Sequence, residues 1–399
     1  MAAAERNMKP EQFDVVVLGV GGMGAAALCH LAKRGCRAIG IEQHEIAHGF
    51  GSSHGISRVI RKVYFEDPRY VPLLERSYQL WRQLEVDVGA PLLHVTGCLN
   101  LGTRDHELMV AVLENARLHR LPHEVLEASA IRSRFPAFHV NDDVIGVYED
   151  DAGILAVEPC TQAHVTMARR HGAVVREHTE VKDVEMGARV RVTTSHGVIE
   201  ASSIVFACGP WSPTSPFMSR IAHRLVATRQ VQTWFPSSLP HFSKGRFPVF
   251  IHFFEGRSAK RGGVVEGRNF YGMPPFGGAG VKIARHGGGV ATTPDSVERT
   301  PTAADEEEVR SYLRSALPEL DGPTSAMEVC MYTMTPDEHF LVGHVPGHSN
   351  AVVLGGFSGH GYKMATVMGE IAADLVVDGR TRHEIAFFDP ARFGGDANG

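Results

Sequence analysis

A discontinuous α/β domain with an α+β domain inserted into it is the fold class this sequence predicts, on three observations. A buried strand near the amino end runs straight into a glycine-rich turn and a helix. Two further strand-and-helix pieces recur at about residues 161–208 and 351–377, and the stretches between the pieces change character.

Phe13-Asp14-Val15-Val16-Val17-Leu18 is a short β-branched run suited to a strand covered on both faces. Ala25 to Arg34 follows as a run of good helix formers with Gly35 placed to end it, and Arg37 to Ile41 resumes a strand that stops at Glu42. These segments make a βαβ unit. Thr161 to Gly172 reads as a helix, Ala173-Val174-Val175 as a strand, and Ser202 to Ala207 as a strand entering Cys208-Gly209-Pro210-Trp211. Near the carboxyl end, Ala351 to Leu354 enters a second glycine-rich turn and Tyr362 to Val377 forms a helix. Residues from about 92 to 150 and from about 225 to 330 mix short alternating strands, turn residues and a charged helix from Ala304 to Leu317. The expected division is 1–92, 152–224 and 331–399 for the α/β domain, and 93–151 and 225–330 for the second domain.

A hydrophobic fraction of 43% against 21% charged residues describes a globular chain able to bury a sizeable core. The net charge of −5 argues against a nucleic-acid or anionic-membrane binder, which needs a basic excess to displace counterions. The six cysteines contain no C-x-x-C pair and no regular spacing, so a disulfide scaffold or zinc knuckle is not expected and a reducing compartment fits. Met1 to Met8 lacks an apolar leader region, no apolar run reaches about 18 residues, and the ending Asp396-Ala397-Asn398-Gly399 is not a peroxisomal address. A cytoplasmic protein, monomeric or weakly self-associating, is the expectation. His44/His48 and His344/His348 have the spacing of a helical metal pair, but both lie in Gly- or Pro-rich segments and read as polar loop histidines.

Gly19-Val20-Gly21-Gly22-Met23-Gly24 follows the first strand and opens the first helix, with the acidic Glu42 roughly 20 positions beyond the first glycine. Backbone N–H groups at such a helix start hold a pyrophosphate, and the carboxylate accepts from a ribose diol. An acid at that point favours an unphosphorylated ribose, hence FAD or NAD.

Four segments carry a resemblance that decides between them. Gly51-Ser52-Ser53-His54-Gly55-Ile56-Ser57-Arg58-Val59-Ile60-Arg61 is the first, and Tyr271-Gly272-Met273-Pro274-Pro275-Phe276-Gly277-Gly278-Ala279-Gly280-Val281-Lys282 is the second. Cys330-Met331-Tyr332-Thr333-Met334-Thr335-Pro336-Asp337-Glu338-His339-Phe340 and Gly355-Gly356-Phe357-Ser358-Gly359-His360-Gly361-Tyr362-Lys363 complete the set. Together, in this order and nearly end to end, they resemble the monomeric sarcosine oxidase family, which includes N-methyltryptophan and pipecolate oxidases. The resemblance implies a glutathione-reductase-like Rossmann domain of the D-amino-acid-oxidase type that binds FAD between two domains. It implies an oxidase of a secondary-amine amino acid: hydride passes from the carbon beside nitrogen to flavin N5, oxygen becomes hydrogen peroxide, and the imine hydrolyses.

Several roles follow from the resemblance. Cys330 matches the cysteine bonded to the flavin 8α-methyl, a fitting task for a thiolate near cationic groups. Arg58, His54, Ser52 and Ser57 match residues beside the flavin, and Gly359 and Gly361 let the backbone approach it. Arg61 and Lys363 match the pair that clamps the substrate carboxylate, with Gly359 beside it. Lys282 matches the lysine that promotes reaction with oxygen, where a fixed ammonium stabilises developing negative charge. His286, Tyr271 and Tyr332 match residues of the same pocket, and the helix beginning near Gly361 aims its positive end at the flavin pyrimidine. Phe254 to Arg268 is longer and more basic than the matching loop of sarcosine-specific members, which opens the choice of substrate. The alternatives are a dehydrogenase of the same fold with a non-oxygen acceptor, or a flavin-bearing subunit of a larger complex.

Overall fold

The computed structural model describes residues 9–255 and 268–393. Five parallel strands form the centre of the first sheet, in the order Val174–Arg176, Ala38–Ile41, Glu11–Leu18, Gly197–Phe206 and His348–Gly355. Successive residues of Glu11–Leu18 face opposite sides. Val15 and Val17 pack with the helices Gly22–Lys33 and Ala365–Asp378, whereas Val16 and Leu18 pack with the antiparallel strands Val190–Thr194 and Leu341–Val345. With both faces covered, this strand has the continuous apolar run that marks it in the sequence.

The predicted α/β class and its amino-terminal βαβ unit are observed, with shifted boundaries. The first helix starts at Gly22, inside the glycine turn, and Gly35 follows its end with φ +83°. The helix expected from Thr161 starts earlier, at Val157. The helix expected from Tyr362 is a 3₁₀ turn, Tyr362–Met364, continued by Ala365–Asp378. His344 and His348 lie on the two strands of a hairpin rather than in a loop, because the turn between them is only a few residues long. Val71–Val88, which pattern reading does not single out, is a long helix with Pro72 in its first turn and Gly89 in the left-handed conformation at its end.

The second sheet runs Ala326–Met334, Val226–Phe235, Val281–His286, Arg268–Met273, Val249–Glu255, Cys98–Thr103, Val144–Glu149 and Glu124–Glu127. One of its faces packs Phe235, Phe250, Phe270, Val281 and Ile283 against Tyr312 and Leu313 of the helix Ala303–Ala316. A Thr302–Asp305 capping box starts that helix, where the sequence places its charged stretch. The opposite face turns toward the first sheet. A short third sheet of Ser57–Ile60, Gly153–Ala156 and Leu93–Val95 lies at the junction.

Gly22–Lys33 and Ala365–Asp378 pack so closely that a Cβ at Gly369 would lie 2.5 Å from the main chain of Ala26. Gly369→Ala is therefore expected to destabilise the fold by about 1–3 kcal/mol through overpacking, despite alanine's better helix propensity. A lowered urea midpoint relative to the parent protein is the result that checks it; an unchanged or raised midpoint refutes the close packing.

Candidate functional site

Leu18, Ile41, Ala207 and Leu354, at or just past the carboxyl ends of four parallel strands, border a cavity of about 330 Å³. This is the crevice where strand order switches direction around Glu11–Leu18, the position where such sheets bind ligands. Gly19 has φ +85°, and a Cβ there would lie 2.5 Å from the carbonyl oxygen of Ala207; a Cβ on Gly24 would collide with the carbonyl of Gly19. Gly21 differs. It lines the cavity with open space where a Cβ would stand, so its absence of side chain leaves room for a ligand at the helix start. Gly22 and Met23 line the cavity beside it, and Gly22 N–H donates to Ser53 Oγ at 3.3 Å.

Glu42 accepts from the N–H of Val20 at 2.9 Å and of His44 at 3.1 Å. Burial alone would raise its pKa, but His48 and these two N–H groups hold it lower, so a carboxylate stands at the end of the second strand. At the other end Thr333 Oγ1, buried and without a hydrogen-bond partner among the described residues, lines the same cavity with Tyr332. An open helix start, a carboxylate and a hydroxyl along one cleft fit a dinucleotide such as FAD.

Pairing of Ala326–Met334 with Val226–Phe235 sets Cys330 opposite Gln230 and Tyr332 opposite Thr228. Cys330 is 3% exposed, and Arg58 Nη2 reaches its sulfur at 3.5 Å while donating to Ser52 O at 2.8 Å. Arg58 Nη1 donates to Ser57 O and to Gln232 Oε1. Burial would raise the Cys330 thiol, yet His54 and the guanidinium of Arg58 bring it down to about 7. His54 is itself raised to about 9 against the effect of burial by Cys330 and Glu328, whose Oε2 is 3.5 Å from Nδ1. His54 lowers the thiol both by contact with the sulfur and by its charge. Lys282, 1% exposed, donates to the carbonyls of Gly55 at 2.8 Å and Ser57 at 3.0 Å. Burial and then Arg58 lower its pKa well below the ordinary value, and Lys282 adds to His54 and Arg58 in lowering the thiol.

A second cavity, of about 70 Å³, shares Arg58, Tyr332, Gly359 and Tyr362 with the first. Gly359 has φ +80°, and a Cβ there would collide with the Tyr332 ring. Arg61 and Lys363 both line this cavity. Arg61, 2% exposed, donates through Nη2 to both oxygens of Glu66 at 3.1 Å and through Nη1 to Val63 O at 2.7 Å. Lys363 donates to His360 O at 2.6 Å and lies 3.5 Å from Tyr64 Oη. His360 Nε2 faces the carbonyl of Glu338, so it carries the proton; Nδ1 then accepts from the Tyr64 hydroxyl at 2.5 Å, and Lys363 donates to the phenol oxygen. Burial, then Arg61, lowers Lys363 to about 7, with Glu66 opposing. Glu66 stays an anion: burial disfavours it, but Arg61 and Lys363 outweigh that.

His286 Nδ1 is 3.4 Å from Tyr332 Oη, and burial lowers its pKa to about 4, so the imidazole is neutral. Tyr271 lines the same cavity and sits edge-on to His286.

Arg58, Arg61, Tyr271, His286, Cys330, Tyr332, Gly359 and Lys363 therefore meet at one cavity. Gly19, Gly21, Gly22, Met23, Glu42, Ser52 and Gly361 line the other. Gly24, His54, Ser57 and Lys282 border neither. Gly24 serves the turn, Ser57 contributes its carbonyl, and Lys282 points into main-chain oxygens. Residues that pattern reading misses include Glu66, Tyr64, Gln232 and Thr333. Only Glu66 had a local signal, an acid five residues after Arg61. The basic stretch within Phe254 to Arg268 lies, for residues 256–267, outside the described residues. Among the described residues, no cluster of three or more His, Cys, Asp or Glu could hold a metal ion, and no helix is long and apolar enough to cross a membrane.

The chain is 37% identical over 389 residues to a monomeric sarcosine oxidase of Streptomyces avermitilis, covering 95% of this chain and 97% of that one. It is 32% identical over 387 residues to an N-methyl-L-tryptophan oxidase of Salmonella typhimurium, covering 96% and 99%. Among solved structures, NikD, an unusual amino acid oxidase essential for nikkomycin biosynthesis, superposes with a TM-score of 0.83 at 24% identity, over 95% of this chain and 98% of that one. An L-proline dehydrogenase from P. horikoshii gives 0.82 at 24%, over 97% and 99%. The model of the FAD dependent oxidoreductase family matches residues 14–375, a span that takes in both large sheets and nearly all of the helix behind the second glycine turn, and the chain belongs to that family.

Proposed function

We propose that this flavoenzyme is an oxidase of a secondary-amine amino acid, an N-methyl or cyclic imino acid, with oxygen as electron acceptor. The observation that carries the reading is the small second cavity, where two buried cations, Arg61 and Lys363, face a wall shared with the dinucleotide cleft. The names of the full-length relatives, sarcosine and N-methyltryptophan oxidases, support the amine class.

FAD, when bound, supplies a two-electron acceptor that takes hydride from the carbon beside the amine nitrogen and passes the electrons to oxygen, giving hydrogen peroxide. Arg61 and Lys363 hold the substrate carboxylate, which replaces Glu66 as the anion paired with Arg61. His286 is kept neutral and so adds no charge to repel an incoming ammonium. Tyr271 and Tyr332, whose pKa values burial raises, remain protonated donors in the cavity wall. The imine then hydrolyses in water, giving formaldehyde and the amino acid from an N-methyl substrate. Cys330, buried beside two cations with its pKa near 7, is suited to a thioether bond to FAD.

A dehydrogenase with another acceptor is the second reading, favoured by one observation: Lys282 is engaged with main-chain carbonyls rather than with either cavity. Peroxide detection over sarcosine, larger N-methyl amino acids, proline and pipecolate tests the main reading. Flavin reduction by one of these under anaerobic conditions without peroxide in air would select the dehydrogenase.

Three outcomes are expected. FAD remains with acid-precipitated wild-type protein and is absent from the Cys330→Ala pellet, and iodoacetamide labelling of flavin-free protein at Cys330 is half-maximal near pH 7; complete loss of flavin from the wild-type pellet overturns the covalent assignment. Arg61→Met and Lys363→Met each weaken carboxylate binding by about 2–5 kcal/mol, and equal wild-type affinity for an acid and its amide counts against the clamp. Lys282→Met slows the oxygen half-reaction about 10²–10³-fold while sparing anaerobic reduction. Stopped-flow traces with slow reduction and normal reoxidation would make Lys282 a substrate-positioning residue.

A further inference from the structure

Residues 61–67 form no helix or strand, so the N–H groups of Lys62 and Val63 have no ladder partner. A carboxylate from the second sheet supplies one. Glu149, 1% exposed at the end of Val144–Glu149, accepts from Lys62 N through both oxygens at 2.8 and 3.1 Å and from Val63 N at 2.9 Å. These are the two residues directly after Arg61, and Arg61 Nη1 bonds back to Val63 O. The same short segment brings Phe65 and Glu66 to the second cavity.

We propose that Glu149 is the positioning residue of the carboxylate clamp: by holding the main-chain N–H groups of Lys62 and Val63, it sets where Arg61 and Glu66 stand. The inference rests on the clamp reading above. Ionised, the carboxylate accepts these bonds with its full charge; a proton on it, shared with Asp151, weakens them, because a neutral carboxyl is a poorer acceptor than a carboxylate. Burial raises Glu149 to about 7, and Asp151 adds to this while the two N–H groups oppose it. The groups facing it are Lys62 and Asp151, which pair with each other, Tyr78 of Val71–Val88, and Cys98, its partner across the sheet. Burial raises the pKa values of Tyr78 and Cys98, so both are neutral. The segment is thus held at pH 8 and loosened as pH falls below 7. Lys363 imposes the opposite limb, losing its ammonium above about 7.

The test uses flavin-loaded protein, with propionate binding read from the flavin absorbance between pH 6 and 9 and amide exchange read at Lys62 and Val63. Glu149→Gln is expected to weaken propionate at pH 8 about tenfold or more, to remove the acid limb but not the alkaline one, and to speed exchange at both amides, with flavin content unchanged. Glu149→Asp should restore part of the acid limb. Unchanged exchange in Glu149→Gln, or unchanged propionate affinity where Arg61→Met lowers it, overturns the proposal. If Arg61→Met itself leaves propionate binding intact, the clamp reading fails and exchange alone decides the role of Glu149. If Glu149→Gln does not accumulate as folded protein, wild-type exchange at pH 6 and 8, corrected for intrinsic rates, decides: equal protection refutes it.

Discussion

A slip of one residue in the pairing of Ala326–Met334 with Val226–Phe235 would turn Cys330 and Tyr332 away from the cavities, because side chains alternate with period two. The same register runs on through the sheet. Gln230 and Gln232 share the face of Cys330, Trp234 carries that face to Lys282 across the next pairing, and His286 and Tyr271 follow. Through Ile251 and Asn100 it reaches Glu149. What holds the register is the opposite face, where Phe235, Phe250, Phe270 and Ile283 bury against Tyr312 and Leu313. Each such side chain contributes about 1.5–3 kcal/mol when fully buried, so a slip that exposed several together would unfold the sheet.

Charge is the second constraint. Arg61 and His54 are buried cations and Arg58 a half-buried one, and an isolated buried ion costs several kcal/mol. Each is balanced locally, Arg61 by Glu66, His54 by Glu328, and Arg58 by Cys330 and main-chain carbonyls. The balance shapes reactivity. The thiol that helps neutralise Arg58 is thereby made a better nucleophile.

The two cavities meet where three sheets meet, and each sheet contributes a different kind of group. The parallel sheet offers strand ends and a helix start where Gly21 leaves open space. The short junction sheet supplies Arg58 and leads into Arg61. The second sheet contributes the thiol, the imidazole and the tyrosines on rigid strands. A loop alone could not hold Arg61 in place, and the hold of Glu149 on the following residues compensates for the missing ladder.

The glycine turn was legible because its requirements are local: φ at Gly19, close approach at Gly24 and room at Gly21 all belong to one short stretch ending a β-branched strand. Glu42 was legible for the same reason, as the end of the next strand. Cys330, Arg61, Lys282, His286 and Lys363 were named by resemblance, but their partners were not. Sequence alone thus determined the α/β class and the glycine turn that borders the cleft. Only the tertiary structure decided that Lys282 turns into the carbonyls of Gly55 and Ser57, and that Glu149 holds Lys62 and Val63. The physical reason is that a buried ion's state depends on whichever dipoles and charges packing brings within a few ångströms, and those come from segments far apart in the chain.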